Sequence, residues 1–367
     1  MIKMPRKKTV PGAAAIDPPP APAPVTPRKA AKLKLQMVDI ARLAGVSVST
    51  VSRALAGSTL VNQATRERVA ELARSLNYTV NVAAKNLRLR QNRTVSVVVP
   101  FDAELRQPLS DPFFLSLIGS LADALTDHGH EMLLSRVDAN RLDLAAQGVE
   151  AGRAAGLILI GQWRHHDQLN QLAVRGVPLV VWGAELPGQA YATVGSDNAQ
   201  GGRMATRHLW QQGARRIAFF GDWDLPEVGL RHQGYLQALA DVGARPVARL
   251  MRPVPFVDSA IEREVEALCA SGESFDAVFA ASDLMAMTVV NTLRRLDRPV
   301  PADVLVAGYD DIPLAQYFHP PLTTVRQPVG AAGLALVGQL LAQIGGARPQ
   351  SRLLLTELRP RPSTQRA

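Results

Sequence analysis

Only one cysteine, Cys269, stands among 367 residues, so no intramolecular disulfide and no cysteine-rich zinc site can form, which suits a reducing compartment. Long apolar runs are missing too. Nowhere do about 18 consecutive apolar residues occur, which excludes a membrane-spanning helix. Neither Gly-x-Ser-x-Gly nor His-Glu-x-x-His is present, so no serine nucleophile or zinc-protease site is visible. The P-loop Lys-Ser/Thr is absent and no Gly-x-Gly-x-x-Gly follows a strand, so nucleotide binding has no support. An enzyme is not expected, nor a cofactor. The one histidine-dense stretch, His165-His166-Asp167, places adjacent side chains that converge poorly on a metal, and no metal site is expected.

What is present is unevenly distributed. Residues 1–93 hold 17 Lys/Arg against four Asp/Glu, whereas residues 94–367 hold 24 against 28. A basic front on a mildly acidic body points to a front that meets a polyanion and a body with another task. An apolar share of 47% allows sizeable cores, and the length exceeds the roughly 100–200 residues of one domain.

Residues 1–35 carry eight of the 26 prolines and eight Lys/Arg, a composition that reads as a disordered basic tail. Lys3, Arg6, Lys7 and Lys8 look like the start of a secretory signal, but no apolar stretch of roughly 7–15 residues follows, so a cytoplasmic location is expected. Three short helices are predicted next. In the first, from Met37, Ile40, Leu43 and Ala44 share a face. Gly45-Val46 breaks it, Ser47 caps a second over Val48–Leu55, and Asn62 or Thr65 starts a third that runs to Leu76. Two helices joined by a tight Gly-containing turn read as helix-turn-helix.

After Thr94, apolar strand candidates alternate with amphipathic helical stretches: Val95–Val99, Met132–Leu134, Leu157–Ile160, Leu179–Trp182, Ile217–Phe220, Ala277–Ala280 and Val304–Ala307. Alternation of this kind implies parallel sheets covered by helices on both faces, and about 270 residues of it implies two such layers with a cleft between.

At 100° per residue the second helix turns Val51, Ala54 and Leu55 to one side. It presents Val48, Ser49, Ser52 and Arg53 on the other, with Thr50 at the edge. That division fits a helix laid in a major groove, where arginine donates two hydrogen bonds to guanine O6 and N7. Thr50 and the helix start, beside Ser47, are placed for phosphate. The run Val38-Asp39-Ile40-Ala41-Arg42-Leu43-Ala44-Gly45-Val46-Ser47-Val48-Ser49-Thr50-Val51-Ser52-Arg53-Ala54-Leu55 resembles the opening signature of the lactose-repressor (LacI/GalR) family of transcriptional regulators. The resemblance implies that Val48, Ser49 and Arg53 read bases, with Arg53 on a guanine. Asn81-Val82-Ala83-Ala84-Lys85-Asn86-Leu87 resembles the family's hinge helix, with Asn81 and Lys85 at the DNA and Leu87 wedged into the central minor-groove step. Val80 stands where the family has proline. Gln36 replaces the usual threonine cap, a change expected to weaken the start of the first helix by roughly 0.5–2 kcal/mol.

Residues 94–363 resemble the family's two-lobed, periplasmic-binding-protein-type core. Asp111-Pro112-Phe113-Phe114 implies aromatic stacking on a sugar ring, although Phe113 and Phe114 read equally as core residues. By the same resemblance Arg231 clamps the effector, Ser282 stands where an asparagine is common, Asp310 of Val306-Ala307-Gly308-Tyr309-Asp310-Asp311 accepts ligand hydroxyls, and Gln327 adds a polar contact. Asp283 reads better as a helix cap. Gly183 occupies a position where sugar-binding members place aspartate, while Trp182 beside it offers a stacking face or a core residue. A less hydroxyl-rich effector, a sugar phosphate and a sugar held by stacking all stay open.

The expected α/β architecture is thus a tail (1–35), a three-helix helix-turn-helix headpiece (36–80), a hinge helix and linker (81–93), and a core of two doubly wound parallel-sheet subdomains. The first subdomain is expected at about 94–190 with 324–340, the second at about 191–322 with 341–360. The expected function is a homodimeric repressor on a near-palindromic operator in double-stranded DNA, controlled by a small-molecule effector, a sugar by the resemblance. A purine co-repressor is the alternative, and a solute-binding protein for transport is a remote one.

Overall fold

The structure is a computed structural model that describes residues 36–55, 57–76, 78, 92–102 and 108–366. The expected tail, and the hinge segment with Asn81, Lys85 and Leu87, lie outside the described residues. The chain divides into two units at Val82, an amino-terminal headpiece and a larger core.

In the headpiece, α1 (Met37–Ala44), α2 (Val48–Leu55) and α3 (Gln63–Ser75) enclose a small core of Ile40, Ala41, Ala44, Val51, Ala54 and Val69. Leu43 was expected in that core but is 58% exposed. The buried stripe of α1 centres between Ile40 and Ala44 and takes in Ala41, which leaves Leu43 at its far edge. The anticipated weakness at Gln36 is offset, because the Asp39 carboxylate accepts the Gln36 backbone N–H at 2.9 Å. Ser47 Oγ accepts from Thr50 N at 3.1 Å and caps α2. Asn62 Oδ1, rather than Thr65, caps α3 by accepting from Thr65 N at 2.8 Å.

The core holds two six-stranded sheets. In the first, β1 (Thr94–Phe101), β2 (Glu131–Asp138), β3 (Gly156–Ile160), β4 (Leu179–Trp182), β5 (Ala192–Ser196) and β11 (Arg352–Leu354) run parallel in the order β11-β5-β4-β3-β1-β2. The second contains β6 (Ile217–Phe220), β7 (Met251–Arg252), β8 (Ala277–Ala280), β9 (Leu305–Asp310), β10 (Thr323–Arg326) and β12 (Glu357–Arg359), in the order β12-β10-β9-β8-β6-β7. Only the β10–β12 pair is antiparallel.

Strands buried on both faces send alternate side chains to opposite cores. Ile158 and Ile160 of β3 join Val95, Val97 and Leu121, while Leu157 and Leu159 join Leu142 and Leu172. Each such side chain contributes about 1.5–3 kcal/mol through its removal from water.

The pairing moves the subdomain limits away from their expected places. Val180, Val181 and Trp182 of β4 pair in register with Ala192, Thr193 and Val194, so β5 belongs to the first sheet rather than the second. β10 pairs with β9 and belongs to the second sheet, not the first. Residues 341–354 stay with the first lobe, since the Val329–Ile344 helix packs on it through Leu336 and Leu340 and β11 extends its sheet. A strand can leave its sheet only where its ladder ends, so the chain crosses between lobes at Asp197, at Gln327-Pro328 and at Leu355-Thr356. No described helix is long and apolar enough to cross a membrane.

Candidate functional site

On the headpiece, Ser47, Val48, Ser49 and Arg53 are exposed, and Thr50 and Ser52 are half-buried. The Ser47 hydroxyl lies 2.8 Å from both Ser49 Oγ and Thr50 Oγ1, so three hydroxyls at the start of α2 form one cluster. Ser49 can keep this bond and still use its remaining donor or acceptor capacity at a base. The Arg53 guanidinium makes no hydrogen bond or ion pair among the described residues. With Val51 and Ala54 anchoring the opposite side of the helix, it is carried outward on a fixed base.

In the core, a cleft opens between the carboxyl ends of the two sheets, where doubly wound folds bind ligands. It is lined by all seven residues expected at the effector: Phe113, Phe114 and Trp182 from the first lobe, Arg231, Ser282 and Asp310 from the second, and Gln327 from a crossing.

The first-lobe wall is aromatic. Asp111 Oδ1 accepts from Phe113 N at 2.9 Å and, with Pro112 at the first helical position, starts the Pro112–Asp127 helix at the cleft. The Phe113 ring then lies 5.9 Å from Phe114 and 6.2 Å from Trp182. These rings join the apolar core and also line the cleft.

Arg231 is positioned by a close crossing of two helices, Asn198–Gln211 and Pro226–Asp241. A Cβ on Gly202 would lie 2.1 Å from Arg231 O, and one on Gly234 would lie 2.0 Å from Ala199 O, so only glycine allows this approach. Arg231 Nε donates to Asn198 Oδ1 at 2.8 Å, one terminal nitrogen donates to Ala281 O at 2.5 Å, and the guanidinium lies 3.8 Å over the Tyr309 ring.

Asp310 ends β9 with φ of 115° and Asp311 follows at 57°, two non-glycine residues in left-handed territory. Ion pairs from Asp311 to Arg326 and Arg361, both at 2.6 Å, pin this turn. Burial pushes the Asp310 carboxyl up to about 7, against the pull of Arg231 and with a further push from Asp111. Gln327 Nε2 donates to Asp310 Oδ1 at 2.7 Å.

Asp283 is not the helix cap. Ser282 Oγ takes that role by accepting from Met285 N at 3.2 Å, while Asp283 Oδ2 accepts from Ile312 N at 2.8 Å and ties down the segment after β9. Its burial and the nearby Asp310 charge hold the Asp283 carboxyl well above the ordinary range. Ser282 thus faces the cleft with one lone pair already engaged.

Glycine at 183 leaves space for the Gln162 side chain. A Cβ on Gly183 would fall 2.7 Å from the Gln162 side chain. Gln162 is fully buried, with Nε2 donating to Ala184 O at 2.7 Å and to Tyr191 Oη at 2.9 Å, and Oε1 accepting from Ala184 N at 2.8 Å. His166 Nδ1 lies 2.9 Å from the same tyrosine hydroxyl and His165 Nε2 lies 3.1 Å from Asn140 Oδ1, so the two histidines point to different partners.

Sequence reasoning passed over Trp163, Asp222 and Phe256, which also line the cleft, and gave Glu227 no role. Arg164 and Asp222 pair at 2.5 Å and join the lobes across the cleft. Burial pushes the Glu227 carboxyl up, while Arg231 and the backbone N–H of Gln162, in the opposite lobe, pull it down.

Two family models match this chain: bacterial regulatory proteins of the lacI family over residues 36–81, and a periplasmic binding protein-like domain over 206–364. The HTH-type transcriptional regulator CelR of Thermobifida fusca is 36% identical over 328 residues, or 87% of this chain and 94% of that protein. A solved transcriptional regulator CelR–cellobiose complex is similar at TM-score 0.66 and 32% identity, covering 90% of this chain and 99% of the other. The lac repressor dimer bound to operator and the anti-inducer ONPF, at 24% identity and the same coverage, shares the fold with TM-score 0.79.

Proposed function

The chain belongs to the lacI family of bacterial regulatory proteins and is a DNA-binding transcriptional regulator. From that premise we propose that it is a cytoplasmic repressor without enzymatic activity. It acts as a homodimer on a near-palindromic operator, and an uncharged sugar bound between the core lobes releases it. Arg53 reads a guanine in each half-site, Val48 and Ser49 set the neighbouring preference, and Ser47, Thr50 and Ser52 contact the backbone or base edges. Asn81, Lys85 and Leu87 serve the hinge that grips and bends the centre of the site.

The observation that carries the effector reading is the charge of the cleft. Asp111, Asp222, Glu227 and Asp310 line it with one cation, Arg231, two of whose donor nitrogens are already engaged. With Asp222 paired to Arg164 and with Glu227 and Asp310 pushed toward their neutral forms, such a lining offers donors and acceptors to hydroxyls and little free positive charge to a phosphate, while Phe113, Phe114 and Trp182 suit the apolar face of a ring. The CelR–cellobiose relative, with its saccharide effector, supports the same reading. An effector that binds one lobe arrangement better shifts the population toward it, and operator and effector must then weaken each other reciprocally.

The test is fluorescence anisotropy of the full-length protein on its operator, titrated with neutral sugars, sugar phosphates and purines. Release by neutral sugars alone is expected. Release by a sugar phosphate, or tightening by a purine, would reject the effector class. The absence of any preferred DNA site would reject the function.

A further inference from the structure

Two polar contacts cross from lobe to lobe within one three-residue stretch. The Glu227 carboxylate of the second lobe accepts the backbone N–H of Gln162 on the first. Two residues on, an Arg164 terminal nitrogen donates to Asp222 Oδ2 at 2.5 Å. The chain crosses between lobes at Asp197, Gln327-Pro328 and Leu355-Thr356, so nothing covalent requires the lobes to meet here.

Each half of this contact is held ready by its own lobe. In the first, the Gln162 side chain is locked to Ala184 and Tyr191. Gly161 and Trp163 on either side of it take positive φ, 95° and 50°, and a bulky residue holds such a conformation only when its surroundings impose it. In the second, Asp222 Oδ1 accepts from Asp224 N at 3.3 Å. The adjoining Trp223 ring stacks on His232 at 4.8 Å, and its carbonyl oxygen approaches the next helix so closely that a Cβ on Gly229 would lie 2.7 Å away. An exposed ion pair contributes little, mainly because two free side chains must be ordered to form it. Here the Asp222 side chain is 15% exposed on a fixed loop, which removes most of that cost on one side, while Arg164 is 46% exposed and leaves the pair open to screening by salt.

We propose that Arg164–Asp222 and Gln162–Glu227 form a clasp that holds the lobes together over the cleft before any effector arrives. It does not depend on what the effector is. Arg164 and Asp222 are positioning residues in this role: they set how often the lobes part. A core closed in this way already brings the first-lobe aromatic wall and Arg231 of the second lobe to the two sides of one cleft, so little of a ligand's binding energy goes into assembling them.

Amide hydrogen exchange of the full-length protein with no ligand added tests this, because the Gln162 N–H is bonded across the lobes and exchanges when they part. Raising the ionic strength of the wild-type solution from about 0.05 M to about 1 M should speed exchange at Gln162 roughly two- to fivefold, the weight of one screened ion pair. Exchange in the Leu157–Ile160 strand should not change. Arg164→Ala and Asp222→Asn, the second of which keeps the bond to Asp224 N, should each show the faster exchange at low salt and lose the salt response. The double variant should be no faster than either, since both substitutions remove the same contact. Glu227→Gln, which keeps an acceptor, should retain protection of the Gln162 N–H, and Glu227→Ala should abolish it. Wild-type exchange at Gln162 that is indifferent to salt would overturn the clasp, because the ion pair then carries no weight. Variants whose exchange rises evenly through both lobes would overturn it too, because these residues then only support the fold.

Discussion

Gln327 donates its side-chain amide to Asp310 Oδ1 at 2.7 Å, and its carbonyl oxygen accepts the Ser196 hydroxyl at 2.7 Å. Asp310 lines the cleft, while Gln327 and Ser196 each stand at a point where the chain crosses between lobes. One amide therefore links the ligand-facing carboxylate to two of the three connections about which the lobes can move. At the third connection, Thr356 Oγ1 donates to Asp197 O at 3.3 Å, next to the first. Any ligand contact that reorients Asp310 acts on the crossings through bonds already in place.

Gln327→Ala should accordingly uncouple the cleft from the crossings. It strands the buried Ser196 hydroxyl and removes a donor from Asp310, at a cost of about 1–3 kcal/mol for each unsatisfied group. Thermal unfolding should move down, and effector affinity by calorimetry should fall about tenfold or more. Operator affinity without effector should stay within a factor of two or three. Normal release of operator by the effector in this variant would show that the amide carries no signal.

Arg53→Ala tests the headpiece independently of the core. Loss of a two-bond contact to guanine costs about 1–3 kcal/mol and relaxes preference at one base pair in each half-site. Anisotropy on operators substituted at every position should show that pair alone losing discrimination. An unchanged binding profile would exclude Arg53 as a reader.

Stability should depend on pH with a sign opposite to that of an ordinary salt-bridged carboxylate. The Asp310 carboxyl is pushed up to about 7 in the folded protein, from an ordinary value near 4, and Asp283 is shifted the same way. The folded state thus holds these protons more tightly than the unfolded chain does. The stabilisation is complete below about pH 4 and is lost as pH rises through 7. Scanning calorimetry from pH 5 to 8 should show a falling Tm, and Asp310→Asn should flatten the slope. A Tm that rises over this range would contradict the placement of both carboxylates.

Gly234→Val addresses how the cleft arginine, Arg231, is held. A Cβ at this position meets Ala199 O at 2.0 Å, so the two helices must separate. Overpacking of this kind costs about 1–3 kcal/mol, and Arg231, on one of the two helices, should lose its bond to Asn198 on the other. Both Tm and effector affinity should drop, while Gly338→Val, at a glycine with open space around it, should change neither by much.

Much of this architecture is legible in the sequence, with losses that have physical causes. Strands such as Leu157–Ile160 and Ile217–Phe220 announce themselves as apolar runs because both faces of a parallel sheet are buried. Ala192–Ser196 and Thr323–Arg326 do not, since small and hydroxyl-bearing residues fill them, and the lobe limits were misplaced at these two strands. Ser282 and Asp283 are neighbours with equal capping chemistry, and the Ser282–Met285 and Asp283–Ile312 bonds separate their roles. Trp163 and Asp222 sit in loops without periodicity. The signal that could have found them is position: each follows the carboxyl end of a strand within three residues, as Ser282 does.

Glycine at 183 gives the most demanding prediction, because it couples two residues 21 positions apart. Gly183→Asp alone drives a Cβ into the Gln162 side chain and buries a carboxylate, so a loss of about 1–3 kcal/mol or more is expected. Gln162→Ala alone leaves the backbone N–H and C=O of Ala184 without their partner and should cost a similar amount. In the double variant the aspartate enters the space that glutamine has left, and the steric part of the penalty disappears. Chemical denaturation of the four proteins should then give a double variant more stable than the sum of the single losses by about 0.5–3 kcal/mol. Simple additivity would mean that Gln162 does not compete for space with a side chain at 183, and the reason for glycine there would have to be sought elsewhere in the cleft wall.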